Sequence, residues 1–259
     1  MALQLGRTFS DGIRRVLTRT GGILFLGLLA IQFLLQTSIN TAVVGFLPPR
    51  AAAELGETIG LTLPVSGTVG AVLFLGTFVL SSVYFVVLSR ALTRPLAELS
   101  TFPADLVTRR LGRATIATIG GGILVAVSVT VGLTMLVLPG VFLATCFLFF
   151  VFAVGVEDRG VIDALTRSWR LSRGNRLKLG VVVILSGVVG LVTGTVGSVL
   201  DLAGTPVVAD LLSNTISSVL FVFLYGIVAA AYRQVRDDEQ DGFDGSGTSQ
   251  SVGGAVADP

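Results

Sequence analysis

Charged side chains that could take part in chemistry cluster between residues 157 and 178. Glu157, Asp158 and Asp163 offer three carboxylates, groups used in general acid–base catalysis and in binding hard metal ions. Arginines follow at every third position around the only tryptophan, Trp169: Arg167, Arg170, Arg173 and Arg176. Such a run can bind nucleic acid or phosphate groups in a soluble protein, but beside a membrane it marks the cytoplasmic side.

A second polar pattern lies in an apolar part of the chain. Gln32, Gln36 and Asn40 are spaced by four residues, so in a helix they form one stripe roughly 12 Å long. Amides at such positions form hydrogen bonds between transmembrane helices, which is the interpretation that we favour. The alternative is that the stripe lines a hydrophilic cavity or a groove for a lipid headgroup.

The commonest catalytic and metal-binding side chains are missing from the sequence. There is no histidine, and the single cysteine, Cys146, excludes an internal disulfide and a cysteine-based metal cluster. We therefore expect no catalytic residue, no metal site and no cofactor. A lipid enzyme that uses the three carboxylates is the least favoured function, because carboxylates beside arginines are usually solvated or paired.

The composition predicts a membrane protein. Hydrophobic residues make up 52% of the 259 residues and charged residues 13%, against about 25% charged in a soluble domain. Six runs without Asp, Glu, Lys or Arg can cross a bilayer core of about 30 Å: 22–47, 68–89, 116–138, 140–156, 179–200 and 213–232. We expect an all-α fold, a polytopic bundle of six transmembrane helices in three hairpins, each preceded by a cytoplasmic amphipathic helix.

The positions of the basic residues predict the orientation. All but one of the 18 Lys and Arg residues lie before the first run, between alternate runs or after the sixth, and only Arg50 lies on the other side. We therefore expect a multi-pass protein of the cell membrane with both termini in the cytoplasm. The third and fourth runs meet at Pro139 and Gly140, where we predict a tight turn. One kinked or re-entrant element is the alternative, which the charge distribution disfavours.

The segments before the first and third hairpins have opposed apolar and charged faces, as helices at a membrane interface do. In the first segment the apolar face contains Ile13, Val16, Leu17 and Thr20, and the charged face contains Arg14, Arg15 and Arg19. In the third segment the apolar face contains Val161, Ile162, Leu165 and Trp169, and the charged face contains Arg159, Asp163, Arg167 and Arg170. Gly174 can end this third helix. The membrane domain covers residues 1–236, and the acidic, Gly- and Ser-rich residues 237–259 predict a disordered tail.

Small side chains recur at helix-packing intervals in the third and fifth runs. We expect both stripes to be packing faces: Thr118, Gly122, Ala126, Thr130 and Thr134, and Ser186, Gly190, Gly194 and Ser198.

One region carries a family resemblance. The turn at Leu138, Pro139 and Gly140 is followed by an apolar run and by GVEDRGVIDALTRSWRLSRGN at 155–175, with a candidate interfacial motif of Asp163, Arg167, Ser168, Trp169, Gly174 and Asn175. In these residues, and in Ala164, Leu165 and Leu171, the chain resembles an uncharacterised family of haloarchaeal-type six-helix membrane proteins. That family is similar to the membrane domain of glycerophosphodiester phosphodiesterases. The resemblance implies a lipid-associated membrane protein of unknown role, without the catalytic domain.

We favour a non-enzymatic membrane protein that acts as a scaffold, an assembly factor or a lipid-interacting module. Its expected partners are membrane lipids, with a protein partner or a homo-oligomer as further candidates. Nucleic acid is not an expected partner, because the cations are spread over several loops and topology accounts for them. The alternative function is a passive transporter or permease for a small solute or lipid, using the stripe of Gln32, Gln36 and Asn40.

Overall fold

The computed structural model describes residues 4–56, 59–100, 106, 110–202 and 204–248. In these residues every regular element is a helix, which confirms the predicted fold class. The helices are α1 (Leu5–Val16), α2 (Arg19–Phe46), α3 (Pro49–Gly56), α4 (Gly67–Leu92), α5 (Leu111–Met135), α6 (Val137–Phe147), α7 (Phe150–Gly155), α8 (Val161–Ser172), α9 (Arg176–Leu202) and α10 (Pro206–Thr248), with a 3-10 helix at Leu96–Ser100.

Six stretches are long and apolar enough to cross a membrane: α2, α4, α5, α6 continued by α7, α9 and the first part of α10. The chain is therefore a multi-pass membrane protein. The observed helices extend past the predicted runs and take in charged residues at several ends, among them those of α4 and α10. Helix α4 continues to Leu92 and includes Arg90, and α10 begins at Pro206 and includes Asp210. The spans thus contain ionisable residues, where the sequence predicted none.

Helices α2 and α4 form the first hairpin and touch through small residues. The backbones of Gly45 and Gly67 meet at one end, and Gly70 lies against Ala42 one turn further on. At the other end the Tyr84 hydroxyl donates a hydrogen bond of 2.6 Å to the Leu24 carbonyl. Because a helical Leu24 already uses that carbonyl within α2, the tyrosine adds a second bond and fixes the two helices in register.

The second hairpin turns three residues earlier than predicted. Leu136 is extended (φ −162°, ψ 139°), while Pro139 lies in the first turn of α6, where its missing N–H is not needed. A Cβ on Gly132 would lie 2.9 Å from the Cα of Gly140, so α5 and α6 approach each other backbone to backbone. A separate hairpin is therefore present, and the alternative of one kinked helix is wrong.

The buried core lies at one end of the bundle, where α4 and α7 finish and α5 and α9 begin; we call this the arginine-rich end. The ring of Phe152 from α7 is stacked between Tyr225 and Tyr232 of α10, with ring centroids 5.1 and 5.3 Å apart. Away from this end, apolar side chains on α5 and α9 are exposed, as on helices that face lipid.

The two predicted small-residue stripes are not packing faces within this chain. A Cβ on Gly122, Gly190 or Gly194 would meet nothing within 4 Å. On α5 the close contacts are made instead by Gly132 and by Gly121, which lies under the ring of Phe150. Spacing alone did not identify the contact face, because glycines recur on more than one side of these helices.

Helix α1 exists but buries a different face from the predicted one. Its buried residues are Thr8, Gly12, Arg15 and Val16. Gly12 lets α1 approach α10, since a Cβ there would lie 2.7 Å from the Cα of Ile227. Arg15 is 2% exposed whereas Leu17 is 72% exposed, so the assignment of Arg15 to the solvated face is wrong. The apolar pattern could not reveal that α1 packs on protein.

Helix α8 ends before Gly174, as predicted, and Gly174 has a φ of +88°, the left-handed conformation expected of a helix-ending glycine. Its buried face differs: it contains Ala164, Arg167 and Leu171, while Ile162 is 70% exposed. Arg167 was expected on the solvated face and is buried because carboxylates from two other elements receive it.

The last helix runs past the predicted end of the sixth span and past residue 237, where the sequence predicted a tail. Helix α10 continues to Thr248, and Glu239 within it pairs with Arg167 and Arg170 of α8. The boundary is thus corrected by ion pairs that composition does not reveal. Residues 249–259 of the predicted tail lie outside the described residues.

Two glycines of α4 test the packing of the first hairpin. A Cβ on Gly70 would lie 2.7 Å from the backbone nitrogen of Ala42, while one on Gly76 meets nothing within 4 Å. We expect Gly70→Ala to destabilise the protein by about 1–3 kcal/mol through overpacking. We expect the control, Gly76→Ala, to stabilise it by up to about 1 kcal/mol because alanine is the better helix former. Thermal unfolding in detergent measures both, and equal midpoints would contradict the observed α2–α4 contact.

Candidate functional site

Glu157 is the centre of a hydrogen-bonded group at the arginine-rich end. It lies in the segment between α7 and α8 and accepts a hydrogen bond of 2.7 Å from the Tyr232 hydroxyl of α10. The Arg167 guanidinium of α8 lies 3.1 and 3.2 Å from its two carboxylate oxygens, and Arg159 donates to it as well. One carboxylate therefore joins a loop and two helices.

These donors keep Glu157 ionised. Burial raises the pKa of its carboxyl group, but the hydrogen bonds from Tyr232 and Arg159 and the charge of Arg167 together lower that pKa by more. The net effect is a pKa below the ordinary value of 4.5. Burial lowers the pKa of Arg167, but Glu239 and Glu157 raise it by more, so that the pair remains charged on both sides.

Asp158, the next residue, is bound to a different helix. Its backbone has a φ of +52°, a left-handed conformation that aspartate tolerates, and its carboxylate lies 3.1 Å from Nη2 of Arg90. Arg90 is 8% exposed and also donates to the carbonyls of Gly155 and Leu106. Arg90 thus satisfies the last carbonyl of α7 and connects α4 to the segment after it.

Ser168 of the candidate interfacial motif joins the two halves of the fourth span. Its hydroxyl donates 2.8 Å to the Cys146 carbonyl of α6 and accepts 3.2 Å from the Phe149 backbone N–H just before α7. The helical hydrogen-bond pattern is interrupted between α6 and α7, so the Cys146 carbonyl and the Phe149 N–H would otherwise lose their partners. Ser168, which is completely buried, repairs the break.

Trp169 packs on aromatic side chains and on a cation. Its ring lies 5.7 Å from that of Phe142 and 6.0 Å from that of Phe147. The guanidinium of Arg176, at the start of α9, lies 4.8 Å from the tryptophan ring and 5.0 Å from that of Phe142. This cation–π arrangement holds α8 against α6 and α9.

The other motif residues have separate positions. Asp163 is exposed on α8, Gly174 forms the turn after α8, and the backbone N–H of Asn175 donates to the Ser172 carbonyl. The structure therefore brings Arg167, Ser168 and Trp169 into contacts with neighbouring helices. It does not gather Glu157, Asp158 and Asp163 into one carboxylate site.

The polar stripe of α2 is used at the opposite end of the bundle. The Gln36 amide donates 3.1 Å to the side-chain oxygen of Asn40, and the Asn40 amide donates to the Leu61 carbonyl at 3.3 Å and to Asp210 at 3.5 Å. Asp210 also accepts 3.2 Å from the Leu61 N–H. Gln36 and Asn40 thus fasten the loop before α4 to α2 and α10. Gln32, one turn nearer the arginine-rich end, is half-buried on α2.

Two clefts open at the arginine-rich end. One, of about 210 Å³, lies between α1 and α10 and includes Arg7, Arg15 and Arg233. The other, of about 250 Å³, lies beside the end of α4 and includes Arg90, Arg94 and Arg236. Each presents three arginines, which outnumber the two carboxylates, Asp11 and Asp237, in the first cleft, while Arg90 in the second is paired with Asp158. An excess of arginine favours the binding of anionic groups.

Sequence reasoning missed four side chains of this end: Arg15, Arg90, Tyr232 and Glu239. The arginines were counted only as topology signals, because a buried arginine and an exposed one look alike in sequence. Tyr232 ends an apolar run, where tyrosine is common for reasons of the membrane interface alone. Glu239 was missed because it lies in residues 237–259, which the composition predicted to be a disordered tail.

The lowered pKa of Glu157 predicts an acid-sensitive contact. Stability contributed by its ionised form is fully present above pH 4.5, its unfolded value, and is lost as the pH falls below 4.5 through the folded value. We expect Glu157→Gln to cost about 2 kcal/mol at neutral pH, from lost charge-assisted hydrogen bonds, and to flatten the pH dependence below 4.5. Unfolding in detergent as a function of pH measures both.

The matched control for this change is Glu98→Gln, because Glu98 is exposed and its carboxylate is 3.4 Å from Arg94 at the surface. That variant should keep the pH dependence of the unaltered protein. A parallel loss of stability below pH 4.5 in the unaltered protein and in Glu157→Gln would show that another group titrates.

Comparison with known families identifies the family of the chain. Residues 3–235 match the family described as Domain of unknown function (DUF7847). No curated protein and no solved structure matches the chain. The matched residues include all of α1 to α9, the Glu157 group and the greater part of the last span. The chain belongs to the DUF7847 family.

Proposed function

We propose that the protein is a non-enzymatic scaffold of the cell membrane that interacts with lipid through its arginine-rich end. The observation that carries the proposal is the state of Glu157, whose oxygens are taken by Tyr232, Arg159 and Arg167. A carboxylate held in its ionised form by three donors is a poor general acid and has little capacity left for a metal ion. Its role is to join helices.

A role in lipid interaction is supported by the arginines of the same end. Two clefts there each present three arginines, and anionic phospholipid headgroups are the anions most abundant beside a membrane. Positive residues collect on the cytoplasmic side, so we place this end, and with it both termini, in the cytoplasm. The predicted relation to the membrane domain of glycerophosphodiester phosphodiesterases, and the haloarchaeal character of the family, would agree with such a role.

The contacts of the polar stripe favour packing over transport. Asn40 and Gln36 bond to each other, and Asn40 bonds to the Leu61 carbonyl, so these amides are engaged within the protein. A stripe that lined a solute path would present its donors and acceptors to the path. We therefore do not propose transport by this stripe. The experiment includes a measurement of solute flux that would detect it.

Native mass spectrometry of the full chain, extracted together with its own lipids, tests the proposal. We expect phospholipid to remain bound after collisional activation has removed the detergent. Loss of all lipid would contradict a lipid-interacting role. In parallel, proteoliposomes should show no solute flux that depends on the protein. Flux that disappears when Gln32, Gln36 and Asn40 are all replaced by leucine would overturn the proposal in favour of transport.

A further inference from the structure

The cleft between α1 and α10 contains two guanidinium groups, those of Arg15 and Arg233, that form no ion pair with a carboxylate of the described residues. Arg15 lies at its inner wall and is 2% exposed. Its Nη1 donates 2.9 Å to the Leu92 carbonyl and also bonds to the Arg94 carbonyl, so that it caps the carbonyl end of α4. Its Nε is buried and has no hydrogen-bond partner.

Arg233 of α10 approaches the same point from the other wall. Its Nη1 lies 3.5 Å from the Arg94 carbonyl, the group that also receives Arg15. Its Nε is likewise buried without a partner. Among the described residues neither Arg15 nor Arg233 forms an ion pair. Two positively charged guanidinium groups therefore converge on one carbonyl oxygen. Their charges repel each other unless an anion binds beside them.

Capping of α4 explains only part of this arrangement. It accounts for Nη1 of Arg15, because a positively charged donor beside the last carbonyls of a helix is stabilising. It leaves the two buried Nε–H groups unexplained, although a buried donor that lacks a partner is costly. Both groups belong to side chains that line the cleft, so an anion bound there would lie beside the two guanidinium groups and balance their charge.

The rim of the cleft limits the charge of that ligand. Arg7, Asp11 and Asp237 line the cleft and are exposed, and Asp237 is 3.3 Å from Arg236. The lining thus has three arginines and two carboxylates, with Arg15 and Arg233 at the inner wall and Arg7 and both carboxylates at the rim. This distribution suits a monoanion bound at the inner wall. A phosphomonoester, with close to two negative charges, would be repelled by the rim.

We propose that this cleft binds the phosphodiester group of a membrane phospholipid. A phosphodiester carries one negative charge and several acceptor oxygens, and guanidinium groups bind such oxygens in pairs. The site rests on the proposed lipid-interacting function and gives it a location, with Arg15 and Arg233 holding the phosphate. Free inorganic phosphate offers the same acceptor oxygens, although its larger negative charge suits the rim less well, so the test must separate the two sources.

The experiment is native mass spectrometry of the full-length protein, titrated with phosphatidylglycerol in detergent. Arg233→Gln removes one guanidinium of the cleft without removing the Arg15 bonds that cap α4. Arg14→Gln is the matched control, since Arg14 is an exposed arginine on α1 that does not line the cleft. We expect the unaltered protein and Arg14→Gln to bind phosphatidylglycerol alike, and Arg233→Gln to bind it roughly tenfold more weakly.

The same titration is repeated with an excess of inorganic phosphate. We expect phosphate to leave the lipid bound, because the acyl chains hold the headgroup at the cleft. Displacement of the lipid to the level of Arg233→Gln would assign the cleft to free phosphate and overturn the lipid site. Equal lipid binding by all three proteins would also overturn the site while leaving the proposed function intact. Failure of the unaltered protein to bind phosphatidylglycerol would contradict both.

A folding control accompanies these measurements. Arg233→Gln and the unaltered protein should unfold at similar temperatures in detergent. If Arg233→Gln does not fold, Arg233→Lys is used in its place, since it keeps the charge but loses the paired guanidinium donors. We expect that variant to weaken lipid binding as well, and unchanged binding would overturn the site.

Discussion

The ionised carboxylate of Glu157 is the contact on which the arginine-rich end depends. It receives donors from α8 and α10 at once, so removing it would leave Arg167 and Tyr232 without their shared acceptor. A polar group that is buried away from water must find its partner inside the fold. The same rule explains why Ser168 serves the interrupted fourth span and why Arg90 serves the end of α7.

The six spans could be predicted from the sequence because a bilayer imposes one length and one composition on each of them. The end of α8 could be predicted for a local reason: Gly174 adopts a φ of +88°, which other residues rarely adopt. The α5–α6 hairpin was predicted from the charge distribution, but the predicted position of its turn, at Pro139, was wrong. Proline is compatible with the first turn of a helix as well as with a loop, so its presence did not fix the turn.

The candidate site could not be predicted in the same way, because its residues are selected by neighbours distant in sequence. Arg14 and Arg15 are adjacent and identical in type, yet one is exposed and the other caps a helix that ends 77 residues later. The small-residue stripes failed for a related reason, since many faces of an apolar helix contain glycine. The Glu157 group required three segments to be placed together before any of its bonds could be inferred.

The arginine-rich end thus has two kinds of arginine. Arg90 and Arg167 are paired with carboxylates and hold the helices together, while Arg15 and Arg233 face a cleft and have donors to spare. The scaffold that we propose would use both properties: a rigid end, and positive groups that an anionic headgroup can reach.

A double-mutant cycle between Glu157→Gln and Arg167→Gln tests most directly whether paired charges hold this end together. The exposed neighbour Arg170 supplies the reference cycle, because it is 59% exposed and contacts Glu239 rather than Glu157. From unfolding in detergent, the account predicts a coupling of about 2 kcal/mol between Glu157 and Arg167, and a coupling near zero between Glu157 and Arg170. Additive effects of Glu157→Gln and Arg167→Gln would contradict it.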